Sequence, residues 1–238
     1  MVKVKFGKEQ YEHMKKFENI HHPDIWKWVL DKLGKSDNIS ILDVSEEACV
    51  FALTLAENHP NNKLTVASRG KKPDIVLPAN VTFHKTDFKS NYNDLSSLGK
   101  FDLIIVNEIS HEIENFATFF GALKSHLAAK GQICLFSRPK NPPLPVPEVC
   151  HILWKKYSPN KEDLLDAAHK AEFSTSSFSA AIPCSVDRTQ WENILYSGSI
   201  PAVKHTPKCD ESTIRNFINS KSGRISFEEK LNIVLLKE

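Results

Sequence analysis

The chain has 238 residues, 41% of them hydrophobic and 25% charged, with 31 basic against 29 acidic side chains and a formal charge of +2. That composition supports one large domain or two small ones and shows no basic stripe for a phosphate backbone, so nucleic acid is not an expected partner. Glycine is scarce: 8 in the whole chain, less than half of the roughly 7% of average usage, so glycine-built phosphate loops are scarce with it.

No apolar run approaches the roughly 18 residues needed to cross a bilayer, and no membrane partner is expected. Met1 to Phe6 alternates charged and apolar residues, unlike a secretory leader, which predicts a reducing, cytoplasmic setting. Cys49, Cys134, Cys150, Cys184 and Cys209 are widely spaced and form no CxxC pair, so reduced thiols are expected, with no disulfide and no zinc.

In chain order, Pro23 opens and Gly34 closes a predicted helix carrying Ile25, Trp26, Val29 and Leu33. Ile39 to Val44 reads as a buried strand. Ser45, as N-cap, with Glu46 and Glu47 in the first turn, starts a helix over Ala48 to Ala56 that breaks at Asn58-His59-Pro60. Strands are predicted at 64–67, 81–84, 101–106 and 132–136. Between the last two, Ile113, Phe116, Ala117, Phe120, Leu123 and Leu127 recur at helical spacing, with Gly131 as the stop. Residues 138–147 hold five prolines in ten positions and predict an extended connection. Helices follow at 148–157 and 161–170, a strand at 174–182, helices at 188–195 and 211–219, and a last strand at 231–236.

Strands alternating with helices predict an α/β fold, a Rossmann-like seven-stranded, mostly parallel sheet covered on both faces. The expected organisation is a single domain over 1–238. It comprises an N-terminal cap at 1–35, a sheet core at 36–182 containing the proline-rich connection, a helical lid inserted at 183–229, and the last strand at 230–238.

This order of elements resembles that of the class I S-adenosylmethionine-dependent methyltransferases acting on small molecules. Ile41-Leu42-Asp43-Val44 resembles the family's first motif, Phe101 to Val106 its fourth strand, and Lys130 to Leu135 the turn into its fifth. Thr86-Asp87-Phe88 resembles the position where an acidic residue contacts the adenine amine, and Tyr11 to Leu33 is similar to the family's N-terminal cap. The resemblance implies S-adenosylmethionine as cofactor, held by Asp43, Ser45, Glu47, Ser68, Arg69, Asp87, Phe88 and Asn107. It also implies a small-molecule substrate near Tyr11, Arg138, Trp191 and Tyr196. The chain departs from the family's glycine-rich loop, whose three glycine positions are Ser45, Glu47 and Cys49 here. It departs again at the residue after the second strand, where the acidic ribose ligand is replaced by Ser68, followed by Arg69.

Asn107 to Glu112 follows the fourth strand, where α/β sheets hold ligands, and His111 is the candidate general base, oriented by Glu108 or Glu112, or else a solvent-facing helix start. Arg138 is a candidate for an anionic substrate or for anchoring the proline-rich turn. His21, His22 and Asp24 have metal-ligand chemistry, but no metal is expected there. Trp154, Trp191 and Tyr196 are candidates for the lid. Three functional readings follow: a transferase for a small molecule, a catalytically silent module of the same fold that has lost the cofactor, or the same crevice reused for other chemistry.

Overall fold

The structure is a computed structural model and describes residues 8–34, 37–45, 49–68, 72, 74–86, 95, 97–198 and 200–238, without the side chains of 10 and 18–24. Seven strands form one sheet: β1 (Ser40–Ser45), β2 (Lys63–Ser68), β3 (Val81–Lys85), β4 (Phe101–Asn107), β5 (Leu127–Ser137), β6 (Ser174–Val186) and β7 (Ile225–Lys237). Their spatial order is β3-β2-β1-β4-β5-β7-β6. The first five are parallel, as expected, and β7 runs antiparallel between β5 and β6.

Alternation along the central strands builds two cores. Ile41, Leu103, Ile105, Cys134 and Phe136 face one way. They pack with Phe17 and Val29 of α1 (Lys8–Leu33), Phe51 and Leu53 of α2 (Val50–Asn58), and Trp191 and Ile194 of α6 (Arg188–Tyr196). Leu42, Val44, Ile104, Val106 and Ile133 face the other way. They meet Phe119 and Phe120 of α3 (Phe116–Lys124) and Leu164 and Ala168 of α5 (Lys161–Lys170).

Several expectations are corrected. α1 begins at Lys8 rather than at Pro23, because Tyr11, Met14 and Phe17 extend the same buried stripe one face upstream. Ser45 does not cap α2: it is the last residue of β1, and α2 starts at Val50 after Cys49, whose φ is +50°. The helix before β5 ends at Lys124, where Leu127 is already paired with Phe101 in the sheet. Leu123 and Leu127 are both buried, so a helix-to-strand junction kept the helical spacing. Gly131 lies inside β5 and is no helix stop; a Cβ there would lie 2.7 Å from the carbonyl oxygen of Phe101.

α4 (His151–Tyr157) follows the proline-rich connection after a short 3-10 turn, Glu148–Cys150. β6 and β7 extend past their expected ends and pair along Ser174 to Val186 against Ile225 to Lys237, so 183–186 and 225–229 are strand. Between them lie α6, α7 (Pro201–His205) and α8 (Glu211–Asn219). Asp187 caps α6 by accepting from Gln190 N–H at 2.8 Å, and Asp210 caps α8 by accepting from Thr213 N–H at 2.8 Å. Pro201 opens α7, a helix not expected from the sequence. No described helix is long and apolar enough to cross a membrane.

Candidate functional site

In a sheet of this order the strand sequence reverses between β1 and β4, and ligands are held beyond the carboxyl ends at that point. Parallel register brings Asp43, Ser45, Ser68 and Asn107 to this end: Asp43 pairs with Ile105, Ser45 with Asn107, and Val66 of β2 with Asp43. Glu47, Arg69, Asp87 and Phe88, the other cofactor candidates, lie outside the described residues, as does Glu46.

Asp43 has no exposed surface. Ser45 donates its hydroxyl to Asp43 Oδ2 at 2.5 Å, and Oδ1 has no hydrogen-bond partner among the described residues. Burial raises the Asp43 carboxyl to about 7, against a smaller lowering by the Ser45 hydroxyl. Ser68 is equally buried, and its carbonyl accepts from Thr86 N–H at 3.0 Å. Cys49 keeps a left-handed backbone, a conformation that favours glycine, while its side chain is buried in the core with Phe51.

At the end of β4 the chain turns through Glu108, at φ +55°, into a 3-10 turn, Ser110–Glu112. His111 Nε2 lies 3.5 Å from Glu112 Oε1, and its ring centroid is 5.4 Å from that of His205 on α7. Of the two expected orienting carboxylates, Glu112 takes that place. Glu108 turns to Arg138: its Oε1 accepts from the Arg138 backbone N–H at 2.7 Å and its Oε2 from the guanidinium at 2.7 Å. On its other side Arg138 Nε donates to Glu229 Oε1 at 2.8 Å. Burial disfavours the guanidinium charge, but the two carboxylates outweigh it and hold Arg138 more firmly protonated than usual. Arg138 is therefore a buried structural cation joining β4, β5 and β7, not a free partner for a substrate.

The other substrate candidates are likewise engaged in packing. Tyr11 donates to Glu57 Oε1 at 2.9 Å and packs α1 on α2. Glu57 also lines an open groove of about 720 Å³ at the amino ends of β2 and β3, the far end of the sheet from Asp43. Trp191 is fully buried, donates Nε1–H to the Pro145 carbonyl at 2.6 Å, and meets Phe17 edge-on at 5.4 Å. Tyr196 reaches the Glu211 carbonyl at 3.4 Å and joins α6 to α8.

The inserted helices do reach the carboxyl ends, but through α7. Pro201, with Leu153, Trp154 and Tyr157 of α4, surrounds Glu108, Ser110 and His111 and leaves a cavity of about 10 Å³, room for about one water. Sequence reasoning named Trp154 for the lid, whereas it lies on α4 outside the insertion, and it gave no site role to Pro201, His205 or Glu229. Pro201 at a helix start was the one legible signal, because Glu229 acquires its partner only when β7 pairs beside β5.

No family model matches the chain, and no curated protein matches it. Solved structures do. Phosphoethanolamine N-methyltransferase 2 of Haemonchus contortus, in complex with phosphomonomethylethanolamine and S-adenosylhomocysteine, is 13% identical with a TM-score of 0.52, over 88% of this chain and 51% of its own. The chain thus spans about half the length of that enzyme. The N-methyltransferase NodS of Bradyrhizobium japonicum, in complex with S-adenosylhomocysteine, is 12% identical with a TM-score of 0.51, over 93% and 87%. The YcgJ protein of Bacillus subtilis is 13% identical with a TM-score of 0.55, over 89% and 97%. With its strand order and antiparallel seventh strand, the chain has the fold of the class I S-adenosylmethionine-dependent methyltransferases.

Proposed function

We propose that this chain is a catalytically silent methyltransferase-fold module, its crevice converted largely into framework. The observation that carries this reading is Ser68. The resemblance places an acidic side chain there for two ribose hydroxyls of S-adenosylmethionine; Ser68 offers a single hydroxyl with no exposed surface. The described residues do not fit the cofactor in its usual pose. A serine hydroxyl fills the space beside Asp43, and Cys49 at the third glycine position commits its side chain to the core. On the substrate side, Arg138 is spent between Glu108 and Glu229. Fold alone does not carry an activity to this chain.

The test is gain of binding. A variant combining Ser45→Gly, Glu47→Gly, Cys49→Gly and Ser68→Asp is expected to bind S-adenosylmethionine at least about tenfold more tightly than the native chain, on the order of 1.4 kcal/mol. A folded variant that binds no better contradicts the reading.

One observation favours the second reading, a small-molecule methyltransferase. The buried Oδ1 of Asp43 has no described donor at the place where a ligand would supply one, and burying an acceptor unpaired costs roughly 1–3 kcal/mol. On this reading the native chain binds the cofactor without substitution, and α7 encloses the acceptor beside His111.

A further inference from the structure

β6 is the outermost strand of the sheet, paired on one side with β7 and on the other with no described strand. Its 13 residues, Ser174–Val186, keep an unbroken antiparallel register with β7, with no bulge to twist the free edge away. No Asp, Glu, Lys or Arg occurs among them. Even-numbered side chains lie on the α1 side, where Phe178 stacks on Trp28 at 5.1 Å, and odd-numbered ones on the α5 side, where Thr175 meets His169 at 3.4 Å. Neither helix closes the edge: Ser174, Phe178, Ser179, Ala181 and Pro183 are all exposed. The sheet's other terminal strand, β3, is only Val81–Lys85 and ends in a lysine.

We propose that β6 is a docking edge for a second copy of this chain, the two strands pairing antiparallel about a two-fold axis at Phe178 and joining the two sheets into one. The register follows from Pro183, which has no N–H to give to a ladder. Antiparallel self-pairing is symmetric about its centre, so a stretch that starts at Ser174 and stops short of Pro183 is 174–182, centred on Phe178. There Phe178 faces the partner's Phe178, and Ser177 faces the partner's Ser179. Each copy brings Trp28 behind its own Phe178, so the axis gathers two aromatic stacks, a favourable cross-strand arrangement.

Charge selects this occupant. A second β6 is as neutral as the first, so the pairing desolvates no charged side chain and sets no like charges opposite each other, while the outward N–H and C=O groups of 174–182 gain partners. The contact is small. A strip of roughly 30 Å by 10 Å covers about 300 Å² of each copy, below the roughly 800 Å² per partner of stable complexes, so the dimer is weak, with a Kd on the order of 50 µM. Both copies use the same edge, which makes the interface isologous and closes the assembly at two. The pairing uses no residue of the crevice, and it holds whether or not the chain binds a cofactor.

The experiment is sedimentation velocity of the full chain from about 5 to about 500 µM, with hydrogen exchange at both ends of that range. The expected result is a monomer that passes to a dimer around 50 µM, with no larger species. Amides of 174–182 are expected to exchange about fivefold more slowly at the higher concentration, and those of β3 at an unchanged rate. Ser177→Lys with Ser179→Lys sets like charges opposite each other across the axis and is expected to stay monomeric throughout. Ser177→Lys with Ser179→Glu sets each introduced lysine opposite an introduced glutamate and is expected to dimerise at least as tightly as wild type. A wild-type chain that is monomeric at every concentration overturns the proposal. So does one that grows beyond a dimer, or one that dimerises with unchanged exchange over 174–182. Two folded charge variants that dimerise alike overturn it as well, and the wild-type result decides alone if either fails to fold.

Discussion

Asp43 is a carboxyl without exposed surface, and its titration is a stability statement. Its pKa is about 7 in the fold against 3.8 unfolded, so the folded chain holds a proton that the unfolded chain has released between those values. Stability from this group is therefore highest below about pH 4, falls as pH rises towards 7, and levels off above, a total on the order of 4 kcal/mol. His59 and His151, both lowered mainly by burial, act oppositely: their contribution is full above 6.5 and is lost as pH falls. The difference between wild type and Asp43→Asn isolates the carboxyl. In denaturant unfolding the variant is expected to gain stability relative to wild type as pH rises from about 5 to about 8; a constant difference contradicts a raised pKa.

Arg138 gives the second test at this scale. Removing the cation leaves Glu108 and the almost wholly buried Glu229 facing each other, so Arg138→Met is expected to cost roughly 3–5 kcal/mol. Arg138→Lys is expected to recover only part, since one ammonium replaces a fork that serves two carboxylates. A substitution at a purely substrate-binding arginine would leave the melting temperature unchanged.

Among the elements, the parallel strands were legible because their runs are short, branched and buried on both faces, as Leu103 to Val106 are. The junction between α3 and β5 was not. Leu127 continues the spacing of Phe120 and Leu123, and the signal that ends the helix is tertiary: His126 offers its carbonyl to Phe101 N–H at 2.8 Å, which draws the chain into the sheet. Glycine at 131 was visible, but its reason was not. The residue is needed for a close approach to β4, where β5 bulges between its pairings with Phe101 and Leu103. Gly131→Ala is expected to destabilise by roughly 1–3 kcal/mol, because backbone and not a movable side chain stands in the way. Unchanged unfolding in urea would show that the bulge yields freely.

For the molecule as a whole, composition and element order made the sheet readable, whereas the site was readable only as a set of residue types. Tyr11, Arg138, Trp191 and Tyr196 have ligand-binding chemistry in any sequence. What commits them to Glu57, to Glu108 and Glu229, to Pro145 and to Glu211 is pairing between elements distant in the chain. The insertion likewise showed in its prolines and apolar residues, while its approach to His111 through Pro201 and His205 depends on how α7 lies on α4. The replaced glycines and Ser68 were visible from the start; of these Ser45 and Ser68 sit at the carboxyl ends of β1 and β2, where a silent module would differ from an active enzyme. Isothermal titration of the purified native chain with S-adenosylmethionine and S-adenosylhomocysteine tests this most directly. No saturable heat is expected up to about millimolar ligand, and saturable binding at about micromolar concentration would contradict a silent module.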